Sequence, residues 1–319
     1  MASEKTVFDP TPPVSIELHL TNRCNLNCKW CVDRGIRNNP CDLPFDISVR
    51  FLNECVKTRI GITIEGGGEP TIYPFFEAFI LEAAKREVPL GLITNGVRSL
   101  RPDLIKHFQW IRVSVDAGTA QEYLDGKGTD HFESVLHNIE EICKHKLETL
   151  VGVGYVLTKE NYKNVPTLLW RLLEMQVDFV QIRVLEENDQ LKVSPKILSQ
   201  VKNCIQRNFS TSQMRVIINQ RLNTNLTNND NLPCFAHSIR AIIHADGFLH
   251  LCEKRRHDPI ILGSLVQNSF FELWNSKARR EASLKLLDPR NQIGCTICRI
   301  TDFNHLFYNL NKIKTKNFI

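Results

Sequence analysis

Cys24, Cys28 and Cys31 stand in the run Leu18-His19-Leu20-Thr21-Asn22-Arg23-Cys24-Asn25-Leu26-Asn27-Cys28-Lys29-Trp30-Cys31, so that three thiols share one short loop. Thiolates are ligands for zinc or for iron-sulfur clusters, and the count of three decides what each metal would do there. A structural zinc site closes with four ligands, whereas a cubane cluster held by three protein thiolates keeps one iron open to an outside molecule. A zinc knuckle, or three unrelated core thiols, are the alternatives that the loop by itself leaves standing.

A loop with this task must be carried by a rigid element, and the residues before it supply one. The run Val14 to Leu20 reads as a strand, and further short apolar runs follow near Ile60 to Glu65, Leu90 to Thr94, Ile111 to Val115, Leu150 to Leu157 and Phe179 to Val184. Amphipathic stretches lie between them at Ser48 to Lys57, Pro74 to Arg86, Pro102 to His107, Phe132 to Lys146 and Val165 to Gln176. In the second of these, Phe75, Phe76, Phe79, Ile80 and Ala83 recur at the spacing of one helical face. Strands alternating with helices imply an α/β fold with a parallel sheet, here a partial (β/α)6 barrel. The alternation fades after Val184 into Glu186-Glu187-Asn188-Asp189-Gln190 and a helix from Pro195 to Arg207, which disfavours a full eight-unit barrel. The Asn- and Thr-rich segment Asn219 to Leu232 marks a boundary, giving a barrel over 1–218 and a smaller unit over 219–319.

The spacing C-x3-C-x2-C, with an aromatic residue just before the last cysteine and a strand before the first, resembles the signature of the radical S-adenosylmethionine (SAM) superfamily. That resemblance implies a [4Fe-4S] cluster on Cys24, Cys28 and Cys31 whose open iron chelates SAM. It further implies reductive cleavage to a 5'-deoxyadenosyl radical that takes hydrogen from a substrate, with an electron donor such as flavodoxin or ferredoxin as partner. Gly67-Gly68-Glu69-Pro70, at the end of the second strand, is similar to the family's GGEP element, which lines the SAM amino group. Read without the family, a glycine-rich strand end is a turn or a place where backbone approaches a ligand, at the end of the strands where barrels bind. Thr94-Asn95-Gly96 and Ser114-Val115-Asp116 end the third and fourth strands. The resemblance carries over Ser114 as a SAM contact, Thr94 as facing SAM or substrate, and Trp30 and Gly67 as SAM-contacting positions; Asp116 joins them as a carboxylate able to bind a ribose.

A second cysteine set follows the boundary. Cys234 precedes a hairpin-like stretch from Ala241 to Cys252, in which Gly247 stands before Cys252 at the spacing G-x4-C, and Cys295-Thr296-Ile297-Cys298 adds a C-x-x-C pair. Four thiolates suit zinc or an iron-sulfur cluster. The layout resembles the Twitch form of the SPASM domain, which implies one auxiliary [4Fe-4S] cluster on Cys234, Cys252, Cys295 and Cys298. Cys41, Cys55, Cys143 and Cys204 are left over: the last three lie in helix-like segments as small buried hydrophobes, and Cys41, ten residues beyond Cys31 in a proline-flanked loop, is placed to face the first site.

Composition narrows the function. The chain has 319 residues, 42% apolar, with 40 basic and 35 acidic side chains and a net charge of +5. That charge is slight and scattered, so no nucleic-acid partner is expected. No run reaches the roughly 18 apolar residues of a membrane span, and Met1 to Pro13 holds no signal core, which points to a cytoplasmic protein without a membrane partner. Eleven cysteines in such a chain are metal ligands or reduced thiols. Glu65, Tyr155, Gln181 and Arg183 are the candidates for orienting substrate. Among Twitch proteins the cysteine layout is closest to the 2-deoxy-scyllo-inosamine dehydrogenase type, so the first expectation is hydrogen abstraction from a small carbohydrate-like or nucleotide-linked molecule. A maturase of a ribosomal peptide is the second; the short stretch before the first strand leaves little room for a leader-binding domain. A non-catalytic zinc protein is the third.

Overall fold

The computed structural model describes residues 12–185, 188–219, 232–253, 261–292 and 300–312. Its strands β1 (Ser15–Leu18), β2 (Gly61–Ile64), β3 (Leu90–Thr94), β4 (Phe108–Ser114), β5 (Leu150–Leu157) and β6 (Phe179–Val184) pair in parallel in chain order. Crossover helices α1 (Phe45–Cys55), α2 (Phe76–Lys85), α3 (Pro102–Ile105), α4 (Ala120–Lys127), α5 (Phe132–His145) and α6 (Val165–Glu174) connect them, and α7 (Pro195–Phe209) follows β6. Ile16, Ile62, Leu92, Ile111, Val153 and Ile182 are buried in one core with Phe51, Phe79, Ile139 and Leu168 of the helices. Burial of such side chains contributes about 1.5–3 kcal/mol each, and this is what holds helices to sheet.

Residues paired across parallel strands face the same way, so register sorts the other face. Ser114 lies opposite Gly154, Gly154 opposite Gln181, and Val156 opposite Arg183. Arg112 and Ser114, two apart on β4, share that face with Gln181 and Arg183. Tyr155 pairs with Ile182 and is turned to the opposite layer.

Three features go beyond the six-strand pattern. A seventh parallel strand, β7 (Arg215–Asn219), pairs with β6. It is a short strand whose Ile217 stays 37% exposed, so its apolar run is too brief to stand out beside a polar tract. The short helix α4 was also unmarked by periodicity: of AQEYLDGK only Tyr123 supplies a large buried apolar side chain, and the helix is fixed by its ends. Thr119 accepts the Glu122 N–H, and Gly128 in the left-handed region (φ 78°) closes the C-terminus. Third, the expected hairpin is present as β8 (Arg240–Ile243) and β9 (Leu249–His250), and β8 adds in parallel to β1, so the sheet runs in the order β7-β6-β5-β4-β3-β2-β1-β8-β9. Of the boundary segment Asn219 to Leu232, Asn219 ends β7 and residues 220–231 lie outside the described residues.

Beyond β9 the described chain forms α8 (Phe270–Trp274), α9 (Lys277–Leu287) and α10 (Thr301–Lys312). The Glu54 carboxylate of α1 accepts the N–H groups of Phe270 and Phe271 at 3.0 and 3.1 Å, and Phe51 meets Phe270 edge-on at 5.5 Å. Arg50 donates to the Leu265 and Asn268 carbonyls. Among the described residues no helix is long and apolar enough to cross a membrane.

Candidate functional site

The cysteine loop leaves β1 and is closed on itself by Asn22, which is buried. Its amide nitrogen donates to the Ile36 and Asn39 carbonyls at 3.2 and 2.5 Å, and its oxygen accepts the Cys41 N–H at 2.5 Å. Arg34 donates to the Cys28 carbonyl at 2.7 Å; Arg37 donates to the Leu26 carbonyl at 2.6 Å and stands 3.8 Å from the Cys31 sulfur. The Lys29 N–H reaches the Gly126 carbonyl of α4 at 2.9 Å. The peptide units beside the thiols are therefore held before any metal arrives. Arg23, Cys24, Arg34 and Arg37 line an open cleft of about 480 Å³.

Burial pushes the Cys24 thiol up to about 11 and raises Cys28 as well, so these groups stay protonated unless a cation takes the thiolate charge. Cys24, Cys28 and Cys31 form no disulfide. Among the described residues, no three His, Cys, Asp or Glu side chains gather as they do around a single ion. A cubane takes each thiolate on a different iron and leaves its fourth iron open, so three thiols on one loop suit an iron-sulfur cluster better than a zinc knuckle, which closes with four ligands.

The glycine turn after β2 packs on that loop. Gly66 and Gly67 are left-handed, at φ 62° and 61°. A Cβ on Gly66 would lie 2.3 Å from His19 Nε2, and one on Gly68 would lie 1.8 Å from the Arg23 carbonyl oxygen. The turn is glycine because protein atoms already fill the side-chain positions. Gly67 N–H donates to Asp33 Oδ2 at 3.2 Å, Gly68 N–H to the Thr21 carbonyl at 3.0 Å, and Glu69 N–H to the Arg23 carbonyl at 2.7 Å.

Glu69, Thr94, Pro70 and Asp116, expected beside SAM, each also have partners or packing within the protein. The buried Glu69 carboxylate accepts from Thr71, from Thr94 Oγ1 at 2.5 Å and from the Asn95 N–H at 2.7 Å; burial raises its pKa against those hydrogen bonds. Glu69 and Thr94 thus join the glycine turn to the end of β3, while Asn95 reaches on to Asn25 of the cysteine loop at 2.8 Å. Pro70 is buried at the first position of the short helical turn Pro70–Ile72. Asp116, at φ 60°, accepts the Val156 N–H at 2.6 Å through Oδ1 and the Lys127 ammonium at 2.5 Å and Trp30 Nε1 at 3.4 Å through Oδ2. Trp30 lines a cavity of about 310 Å³ with Glu122, Thr158 and Asn161.

Of the substrate candidates, Gln181 accepts a hydrogen bond from Arg112, and Arg183 and Ser114 share their face. Glu65, the residue after β2, is partly buried. Tyr155 stands on the opposite layer, because its strand position has the other parity, and its hydroxyl donates to the Asn161 carbonyl at 2.8 Å. Cys252 follows β9, and the Cys234 N–H is bonded to the Leu286 carbonyl at 3.0 Å. Cys295 and Cys298 lie outside the described residues.

Sequence reasoning passed over Arg112, Asp33, Lys127 and a stack of histidines. His19 lies on His244 at 5.0 Å between ring centroids, and His244 on His250 at 4.3 Å, with His19 Nε2 2.9 Å from Glu17. The available signals were the i, i+2 placement of Glu17 on β1 and His19 just beyond it, and the two histidines flanking the β8–β9 turn.

Comparisons with known proteins agree with this arrangement. The model of the radical SAM superfamily matches residues 18–170, and that of an iron-sulfur cluster-binding domain, SPASM, matches residues 234–299. The tungsten-containing aldehyde ferredoxin oxidoreductase cofactor-modifying protein of Pyrococcus furiosus is 33% identical over 175 residues, 50% of this chain and 48% of that protein. The mycofactocin maturase MftC of Mycobacterium tuberculosis is 25% identical over 154 residues, 47% of this chain and 39% of that protein. The chain thus spans about half the length, or less, of these relatives. The structure of native anSMEcpe with bound AdoMet and a peptide superposes with a TM-score of 0.67 at 18% identity, covering 92% of this chain and 88% of that one.

Proposed function

We propose, for a chain that belongs to the radical SAM superfamily and carries a SPASM iron-sulfur domain, that it removes a hydrogen atom from a small anionic or hydroxylated molecule, carbohydrate-like or nucleotide-linked, on the way to oxidation or rearrangement. The chain is an enzyme whose cofactors are SAM, a [4Fe-4S] cluster and an auxiliary iron-sulfur cluster. The cluster, when bound, supplies the electron for reductive cleavage of SAM.

The observation that carries this reading is the prebuilt cysteine loop stitched to a left-handed glycine turn. We assign Cys24, Cys28 and Cys31 as the cluster ligands and the carbonyls of Gly67 and Gly68 as acceptors for the SAM ammonium, the Gly66 carbonyl being engaged by the Gly68 N–H. Trp30 and Ser114 are assigned to SAM itself. Glu69, Thr94, Pro70 and Asp116 hold the surrounding backbone in place. Arg112, Gln181 and Arg183, with Glu65, face the interior and suit a substrate with phosphate, carboxylate or hydroxyl groups. Cys234, Cys252, Cys295 and Cys298 are assigned to the auxiliary cluster, within a C-terminal unit that begins near 219. Flavodoxin or ferredoxin is the electron donor, and the cytoplasm, which keeps thiols reduced, is the setting.

A second reading, maturation of a peptide, is favoured by the similarity to a mycofactocin maturase. One experiment separates the two. The anaerobically reconstituted enzyme is given SAM, reductant and either a low-mass anionic fraction or a peptide fraction from deuterated cells, and deuterium is sought in 5'-deoxyadenosine. Label from the low-mass fraction supports the first reading and label from peptides the second. SAM cleavage without label from either would sink both.

A further inference from the structure

His19 follows β1 directly and is buried. Its imidazole occupies the space that side chains on two glycines would take: a Cβ on Gly66 would lie 2.3 Å from Nε2, and one on Gly67 would lie 3.0 Å from Nδ1. The ring therefore runs along the left-handed turn whose carbonyls are assigned to the SAM ammonium. It is itself held at three points. Nε2 is 2.9 Å from the Glu17 carboxylate, the His19 N–H donates to the Ile243 carbonyl of β8 at 2.9 Å, and the His244 ring lies against it at 5.0 Å, only 4° from parallel.

The pairing of the strands explains that stack. Leu18 lies opposite Ile243, so the residues that follow each, His19 and His244, leave the two strands side by side and on one face. His244 closes the β8–β9 turn: its N–H donates to the Phe248 carbonyl at 3.0 Å, and its carbonyl accepts the Gly247 N–H at 2.9 Å. The turn brings the buried ring of His250 onto His244 at 4.3 Å. Within the sheet, β1 separates β8 from β2, the strand that carries the glycine turn. The stacked rings cross β1 and join the two sides. Such contacts stabilise beyond the area they bury, and a close-packed interior passes a displacement on rather than absorbing it.

We propose that the stack His19, His244 and His250 is the positioning element through which the β8–β9 hairpin holds the SAM-binding turn in place, so that SAM affinity depends on a hairpin across β1 from that turn. This rests on the assignment of the Gly67 and Gly68 carbonyls made above. The three histidines act by shape and contact, through Gly66 and Gly67, and none is placed against substrate.

The test is a SAM titration of the reconstituted holoenzyme, followed by the SAM-induced change in its electron paramagnetic resonance spectrum and by equilibrium dialysis of labelled SAM. His244→Leu keeps a side chain of similar bulk but removes the flat ring, and is expected to raise the half-saturating SAM concentration about tenfold, the scale of one aromatic contact. His244→Phe keeps a flat ring and should stay within about twofold of the wild type. Leu249→Ala opens a cavity on the helix-facing side of the same hairpin and should lower thermal stability while leaving SAM affinity unchanged. In a His19→Ala background, His244→Leu should add little, because the row of contacts is already broken. Unchanged SAM affinity in His244→Leu, an equal loss in His244→Phe or Leu249→Ala, or a full additional loss in the His19→Ala background would overturn the proposal. So would variants at 244 that hold no cluster, since the ring would then serve assembly. A normal SAM response in Gly68→Val would instead refute the underlying assignment of the turn.

Discussion

The two cysteine regions solve one problem in opposite ways. Cys24, Cys28 and Cys31 lie within a single loop whose carbonyls and amides are held by Asn22, Arg34, Arg37 and α4, so the three thiols are close in sequence and held locally. Cys234, Cys252, Cys295 and Cys298 span most of the C-terminal unit, and bringing them together closes long stretches of chain. Closure entropy grows with loop length, and a metal that joins distant ligands contributes its binding free energy to folding. The first site should therefore be mainly catalytic in its consequences, and the second both catalytic and structural.

The sharpest way to break that contrast is to remove each ligand set. Cys24, Cys28 and Cys31 all changed to Ala should lower iron from about eight to about four per chain and abolish reductive SAM cleavage, with thermal unfolding nearly unmoved. Residual reductive formation of 5'-deoxyadenosine would end the assignment. Replacing Cys295 and Cys298 by Ala should also cost about four irons and stop substrate turnover, but uncoupled SAM cleavage should persist and limited proteolysis should now cut C-terminal to residue 232. A fully active, protease-resistant double variant would remove the structural half of the comparison.

Smaller changes sharpen it. Gly68→Val drives a side chain into the Arg23 carbonyl, so the glycine turn and the cysteine loop must separate. The SAM-induced change in the paramagnetic resonance spectrum should vanish while the auxiliary signal stays; a normal SAM response would mean that the turn does not position the ligand. The smallest effect is expected for Glu54→Ala, which takes a carboxylate from the N–H groups of Phe270 and Phe271. A loss of roughly 1–3 kcal/mol should appear in denaturant unfolding, with SAM cleavage unchanged. An equal loss of both would show that the two regions are less separable than their hydrogen bonding implies.

What the sequence made legible followed from pattern strength. The six parallel strands carry apolar runs and the first cysteine loop carries its thiols side by side, so both were readable within short windows. β7 was hidden by its brevity, and α4 by having almost no apolar stripe. The internal partners of Glu69, Thr94 and Asp116 were hidden for another reason: the buried N–H and hydroxyl groups they meet come from other strands and loops. Tyr155 shows the same limit in a strand, where a shift of one residue exchanges the two faces. Arg112, Lys127 and the stacked histidines depend on contacts between distant segments, which no local spacing records.

The pairing of β8 with β1 has a consequence for synthesis on the ribosome. β1 is made before its neighbour on one side, Arg240–Ile243, from which more than 200 residues of chain separate it. At roughly 5–20 residues per second, that edge waits on the order of ten to fifty seconds for its partner. An unpaired edge is a template for association with other chains, and a charge pointing inward from it is a recognised safeguard. Glu17, in the middle of β1, supplies such a charge, and β8 brings Arg240 to within 3.6 Å of it. The nascent strand thus carries a repellent group that becomes acceptable only when its own chain delivers the cation.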